Sequence, residues 1–299
     1  MMDSLCVGIV QTTLDHRVAW KSGPLMSMPE ALKAESEIDK AMHAFDGHAV
    51  APHLILMPEL AAPRWLQAKL RNHADHLEAI VVAGVDYLID KSSNKVTNEA
   101  VLILPKKWLG KRTRSPNALR RIRKTYASWE EERALDSVSY GFTKDPTVWL
   151  FDGGKAGRFA VAICYDFLDL ERLAMYRGHV HHFFVLSYNR DIHSFDHAAA
   201  ALSRMAFCNV VICNTGFYGG SLAVTPYREP YRRTLYRSEG PSLFSTQVVQ
   251  LPVASLDHHQ QCPKYGEEAE YKSRPPGYEQ FPSSFATNKN LTSAKDDLA

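Results

Sequence analysis

Cysteine is scarce in this sequence and does not pair off. The five thiols, Cys6, Cys164, Cys208, Cys213 and Cys262, are odd in number and widely spaced. They form neither a disulfide framework nor a zinc pattern, and they suit a reducing cytoplasm. No apolar run approaches the roughly 20 residues that a membrane-spanning helix needs. The N-terminus enters a strand-like stretch, Leu5 to Val10, with no basic region or cleavage site before it, so no signal peptide is expected. An excess of one charge is missing as well: a net charge of +2 over 299 residues singles out no partner. There are no repeats. Of His179, His181 and His182, only the first and second share a strand face, and no third ligand stands at a convincing spacing. No metal and no cofactor are therefore expected.

What remains is an ordinary globular composition, 45% apolar and 23% charged, enough for one large core or two modest ones. Leu5 to Gln11 reads as a strand. Met28 to Phe45 reads as a helix that Ser27 could cap, with apolar residues at helical spacing. Strands follow at His53 to Met57, ended by Pro58-Glu59-Leu60, at Ala79 to Val85 and at Val96 to Leu104, with a short helix from Arg64 to His73 between the first two. A hairpin-like connection at Asp152 to Gly157 precedes a strand at Phe159 to Ile163. Further strands are read at Val180 to Leu186, Val210 to Asn214, Leu222 to Thr225 and Leu243 to Leu256. Helices are read at Leu168 to Tyr176, stopped by Gly178, and at Phe195 to Phe207. This order suggests an α/β sandwich. From about His258 the apolar content falls and Pro263, Pro275, Pro276 and Pro282 punctuate polar residues. Residues 1–257 are read as the domain and 258–299 as a tail that is extended or disordered alone, or lies along a neighbouring subunit.

Phe159 to Ile163 is a continuous apolar run of the kind covered on both faces of a sheet, and Cys164 stands where it ends. Strand ends are where ligands and reactive groups gather in sheets flanked by helices. A lone cysteine in such a run is more often an apolar filler. Glu59 is either a surface carboxylate after a strand or, fixed by Pro58, a base at the same sheet edge as the thiol. A distant histidine such as His193 or His197 could also partner Cys164. The segment Lys106 to Lys124 holds nine cations and no acid. It is either a solvated excursion or a nucleic-acid contact.

Taken together, Leu54-Ile55-Leu56-Met57-Pro58-Glu59-Leu60, Arg123-Lys124-Thr125 and Ile163-Cys164-Tyr165-Asp166 resemble, in order, the glutamate, lysine and cysteine motifs of the nitrilase superfamily of carbon–nitrogen hydrolases. Val10-Gln11, Asn98-Glu99-Ala100, Glu171, Ser203-Arg204-Met205-Ala206 and Asn214-Thr215-Gly216 extend the likeness over roughly residues 5 to 256. The stretch between Asn98 and Lys124 is longer than usual, which leaves Lys106, Lys107 and Lys111 as alternative lysines. Tyr188-Asn189-Arg190 stands where the family often has a tryptophan.

The resemblance implies a four-layer α-β-β-α sandwich and hydrolysis of a small amide, nitrile or carbamoyl substrate, an amidase above all. Cys164 would be the nucleophile, Glu59 the base and Lys124 the stabilising ammonium. The Tyr165 N–H would serve as oxyanion donor and Asn189 as part of the substrate wall. One of Glu130, Glu131 and Glu132, with Glu131 favoured, would orient the lysine. It also implies a homodimer or larger homo-oligomer through residues 167–178 and 195–207. The alternative is a nitrilase-like binding or assembly module of a nucleic-acid system, using residues 106–124.

Overall fold

The computed structural model describes residues 1–263, 266, 268–278 and 292–298. The chain begins with β1 (Ser4–Gln11), α1 (His16–Ala19), α2 (Met28–Asp46), β2 (Leu54–Ala62), α3 (Gln67–Leu77), β3 (Ile80–Asp90) and β4 (Lys95–Ile103). The basic excursion follows as β5 (Lys107–Trp108), β6 (Lys111–Arg112) and β7 (Leu119–Arg123). Next come α4 (Trp129–Ser137), β8 (Gly141–Phe142), β9 (Thr147–Asp152), β10 (Arg158–Ile163), α5 (Leu170–Tyr176), β11 (His182–Ser187) and α6 (Ile192–Leu202). The last elements are β12 (Asn209–Asn214), β13 (Leu222–Val224), α7 (Pro230–Arg233), β14 (Thr234–Arg237), β15 (Ser245–Pro252), α8 (Ala254–Gln261) and β16 (Thr292–Asp297).

Two large sheets result. One runs β15-β1-β2-β3-β4-β7, with β8 beside β4, and the other runs β14-β13-β12-β11-β10-β9-β16. The period-two rule explains how they stack. On β1, Leu5, Val7 and Ile9 face the second sheet and join Val161, Phe184 and Ile212 in the main core, whereas Val10 faces the other way. There it meets Ile38, Met42 and Phe45 of α2 and Leu70 of α3. Leu173, Phe195 and Leu202, from α5 and α6, cover the far face of the second sheet. The layers are therefore α-β-β-α, the four-layer sandwich expected from the resemblance.

Several boundaries differ from the sequence reading. Pro58-Glu59-Leu60 lies inside β2, at a register shift between Met57 and Ala62, because a bulge accommodates the proline. The last helix read, 195–207, starts instead at Ile192, where Asp191 accepts from Ser194 N–H, and ends in a π-turn at Ser203–Phe207. The region 243–256 splits into β15 and α8. The 257/258 division thus falls inside a helix whose Leu256 is fully buried. Beyond it, Tyr271 and Tyr278 pack against Phe207 and Leu256, and β16 pairs in parallel with β9. Residues 279–291 of the expected tail lie outside the described residues.

Candidate active site

Cys164 ends β10 and opens a 3-10 turn, with a left-handed φ of 45°. That conformation costs a non-glycine residue about 1–2 kcal/mol and lifts the side chain off the sheet. Asp166 holds the turn in place. Its buried carboxylate accepts from Thr125 N, Tyr126 N and Arg172 Nη1, which staples the turn to the end of β7. The thiol is only 8% exposed. Burial pushes it well above the ordinary cysteine value and the Glu59 charge adds to this, while Lys124 and the Tyr188 N–H pull the other way. At rest Cys164 is therefore a thiol beside an acceptor.

Glu59 arrives from the bulge in β2, one residue before Leu60 at φ 55°. The neighbouring strand has to come very close here: a Cβ on Gly84 would lie 2.3 Å from the Pro58 carbonyl oxygen and 2.5 Å from the Glu59 Cα. Only glycine lets β3 pack against the bulge. Glu59 is 3% exposed, and each oxygen is taken. Oε1 accepts from Lys124 Nζ and Asn98 Nδ2, both at 2.8 Å, and Oε2 accepts from Tyr188 N at 3.0 Å.

Lys124 follows the last residue of β7 and is 1% exposed. Its Nζ donates to Glu59 at 2.8 Å and to Glu131 Oε2 at 2.5 Å. Burial alone would drag this ammonium down; Glu131, then Glu59, outweigh it and hold it well above the ordinary lysine value. Glu131 is the third residue of α4. Ser128 caps that helix in a reciprocal capping box with Glu131. Burial pushes Glu131 up, but Lys124, Asn98 and Tyr87 together bring it below the usual carboxylate range. Tyr87 Oη donates to it at 2.9 Å and Asn98 Nδ2 at 2.8 Å.

The structure thus brings Glu59, Lys124, Glu131 and Cys164 to one place. The cavity above them has a volume of about 660 Å³ and is bordered by Tyr165, Leu168, Tyr188, Trp20 and Trp129, among others. Tyr165 is 46% exposed. Asn189 borders the cavity too, but its side chain is committed locally: Nδ2 donates to Asp191 O and Oδ1 accepts from Asp191 N. Glu130 lies at the rim in an ion pair with Arg190, and Glu132 does not border the cavity. His193 and His197, the other partners weighed for Cys164, lie on α6 and do not border it either. His181 is engaged elsewhere: its Nε2 meets Asp257 at 3.0 Å and its Nδ1 accepts from Arg158 N.

The sequence reading missed Asn98 as a bridge between the two glutamates, the Tyr188 N–H, Tyr87 and all of α4. A signal for α4 was present: Ser128 followed three residues later by Glu131 is a capping-box pattern.

The basic excursion looks different in three dimensions. Lys106 pairs with Asp75, Lys107 with Glu78, Arg114 with Asp297, Arg120 with Asp296, Arg121 with Glu99, and Arg123 with Glu99 and Asp145. Of the nine cations, only Lys111 and Arg112 have no carboxylate partner among the described residues.

Two stacked sheets between helical layers are the fold of solved CN-hydrolase, or nitrilase, superfamily proteins. Solved structures of that superfamily superpose on this chain. A CN-hydrolase superfamily protein of Xanthomonas campestris, with an arsenic adduct in its active site, matches at a TM-score of 0.61 and 14% identity. The match covers 88% of this chain and 96% of that one. Nit3 of Saccharomyces cerevisiae matches at 0.60 and 17%, over 90% and 97% of the two chains. An amidase of Nesterenkonia matches at 0.57 and 18%, over 84% and 94%. The likeness is one of fold. No family model matches the sequence, and no curated protein matches it in sequence.

Proposed function

We propose that this protein hydrolyses non-peptide C–N bonds, and that it is an amidase with Cys164 as nucleophile. The observation that carries the reading is the buried ammonium of Lys124 between Glu59 and Glu131, beside a buried thiol. A packed core has no use for two buried carboxylates and a lysine, whose desolvation is costly. Attack on a poor electrophile needs all three.

Glu59 takes the proton of Cys164 as sulfur attacks the carbonyl carbon. The oxyanion that develops is stabilised by Lys124 and by the Tyr165 backbone N–H; one such donor is worth about 3 kcal/mol. Glu59 then gives its proton to the departing amine, leaving a thioester. Water attacks the thioester, Glu59 accepts the water's proton, and the acid leaves as the thiol re-forms. Glu131 orients Lys124, and Asn98 bridges the two glutamates. A related precedent supports a cysteine nucleophile: the Nesterenkonia amidase, in a variant, carries the acetamide moiety of fluoroacetamide covalently at its active-site cysteine. The buried free thiols fit a reducing compartment such as the cytoplasm. Exposed Leu168, Leu170 and Met205 would carry self-association.

The test is ammonia release from simple amides, alongside the iodoacetamide labelling rate of all five cysteines followed by mass spectrometry. Cys164 is expected to react fastest near neutral pH and to slow in Glu59→Gln and Lys124→Ala. Labelling of Cys164 no faster than of Cys208 or Cys213, unaffected by either substitution, sinks the reading. The module's contact with nucleic acid through residues 106–124 would then rest on Lys111 and Arg112.

A further inference from the structure

Residues 12–27 connect β1 to α2 and form one side of the cavity above Cys164. Connections of this length without extended secondary structure are commonly functional. This one is pinned from beneath by three buried carboxylates. Thr13 N and Oγ1 donate to Glu37, and Asp15 N donates to Glu30 at 2.9 Å. Asp86, 2% exposed, accepts from Trp20 Nε1 at 2.9 Å with one oxygen and from Met26 N at 2.8 Å with the other. A fourth anchor comes from the opposite sheet, where Tyr188 Oη accepts from His16 N and donates to Leu14 O. A carboxylate held this deep in the protein is expensive. Three of them spent on one connection indicate that its shape matters.

The residue whose orientation these bonds fix is Trp20. Its ring meets Tyr87 edge-on at 6.0 Å and Tyr188 edge-on at 6.1 Å. It packs at once against the small cluster of Leu14, Ala19 and Met26 and against that of Leu60, Tyr87 and Leu135. Tyr188 in turn meets Tyr218 edge-on at 5.6 Å. The three rings Trp20, Tyr188 and Tyr218 all border the cavity and present it with an aromatic side.

The charge of the cavity points the same way. Four carboxylates border it, Glu59, Glu130, Glu131 and Asp191, against two cations, Lys124 and Arg190. Both cations are already paired, Lys124 with Glu59 and Glu131 and Arg190 with Glu130. An anionic group entering the cavity would find no unpaired cation among the described residues. Asp191 accepts from Ser194 N–H through Oδ1 and keeps its charge with no cation paired to it among the described residues, so the cavity disfavours an anionic group in particular.

Building on the amidase reading, we infer that residues 12–27 form the acyl-side wall of the site, that Trp20 selects the substrate and Asp86 positions it, and that the accepted acyl groups carry no negative charge and are of aryl size. An aryl group edge-on to Trp20 and Tyr188 gains an aromatic contact that an alkyl group of the same reach does not.

Three primary amides separate the possibilities: phenylacetamide, butyramide and succinamate, the last carrying a carboxylate at the end of its acyl chain. The expected order of kcat/KM is phenylacetamide, butyramide, succinamate, with the first at least about tenfold above the last. Trp20→Ala is expected to lower the phenylacetamide-to-butyramide ratio about tenfold, and Trp20→Phe to restore most of it. Asp86→Asn, which keeps the shape but loses the charge that holds the indole N–H, is expected to raise KM for phenylacetamide more than it lowers kcat. If none of the three amides releases ammonia, the hydrolase reading falls and the wall with it. If all three turn over with equal kcat/KM, or if succinamate or an amine-bearing amide of like length is preferred, the wall alone is overturned. An unchanged selectivity ratio in a folded Trp20→Ala protein overturns it too.

Discussion

The candidate active centre and the basic excursion that leads into it are both dense in charge and are joined at Lys124, yet they differ in almost every physical respect. In the centre one ammonium, its side chain 2% exposed, serves two carboxylates whose remaining hydrogen-bonding capacity is filled by Asn98, Tyr87 and a backbone N–H. In the excursion the cations lie at the surface, most of them opposite one or two carboxylates; the Arg114 side chain, paired with Asp297, is 70% exposed. Exposed pairs of that kind contribute about 0–1 kcal/mol each and weaken with salt. The buried cluster is different, because removal of any one member strands the others without water. Cationic residues adjacent in sequence therefore belong to two regimes, divided by the step from Arg123 to Lys124.

The sharpest way to break this contrast is chemical. Glu59→Gln keeps the shape of the centre and removes the proposed proton acceptor, and amide turnover is expected to fall by about 10²–10⁴-fold with the fold intact by circular dichroism. Lys124→Ala attacks the balance of charge itself. It leaves Glu59 and Glu131 buried and unpaired, so urea denaturation should show a loss of about 3–5 kcal/mol. Gly84→Ala tests the close approach that places Glu59. A Cβ there meets backbone rather than a flexible side-chain end, so a loss of about 1–3 kcal/mol is expected, together with lower activity.

Acid and alkali probe the same cluster more gently. Glu131 has a lowered value in the folded protein, so its share of stability is present above the unfolded carboxylate value and is lost as pH falls through the folded one. Lys124 has a raised value, so its share is present below the unfolded lysine value and is lost as pH rises toward the folded one. Melting temperature against pH should therefore fall on both the acid and the alkaline side, and Lys124→Met should remove both slopes of this origin. The smallest effect is expected in the excursion. Lys111→Ala with Arg112→Ala should leave stability within about 0.5 kcal/mol and turnover unchanged. Salt-sensitive RNA binding that this pair abolishes would instead place a polyanion partner on the excursion.

Much of the fold was legible because its strands are apolar runs set between turns. The Phe159 to Ile163 run announced a strand covered on both faces, and β10 lies mid-sheet between β9 and β11. What stayed hidden has physical reasons. β7 carries three arginines in five residues, so its pattern reads as solvated; it is an edge strand whose Ile122 alone turns fully inward. Glu59 read as the end of a strand because a proline precedes it, whereas a bulge keeps that stretch within β2. Of the candidate site, the short motifs were visible, and the partners that make them a site were not. Asp86 and Tyr87 come from β3, Asn98 from β4 and Tyr188 from the end of β11, and nothing in their local sequence sets them apart from other polar residues in a sheet. Trp20 lies in a connection without periodicity, where the sequence offers no face to read.

The capping box of α4 ties helix nucleation to the buried charge cluster. Glu131 Oε2 accepts from Lys124 Nζ and from the Ser128 N–H, so one carboxylate oxygen begins a helix and steadies the ammonium. The first turn of α4 is thereby a gauge of the cluster's integrity. Amide hydrogen exchange at Ser128 and Glu131 registers any displacement of the lysine, in a protein with no substrate bound and no reaction under way.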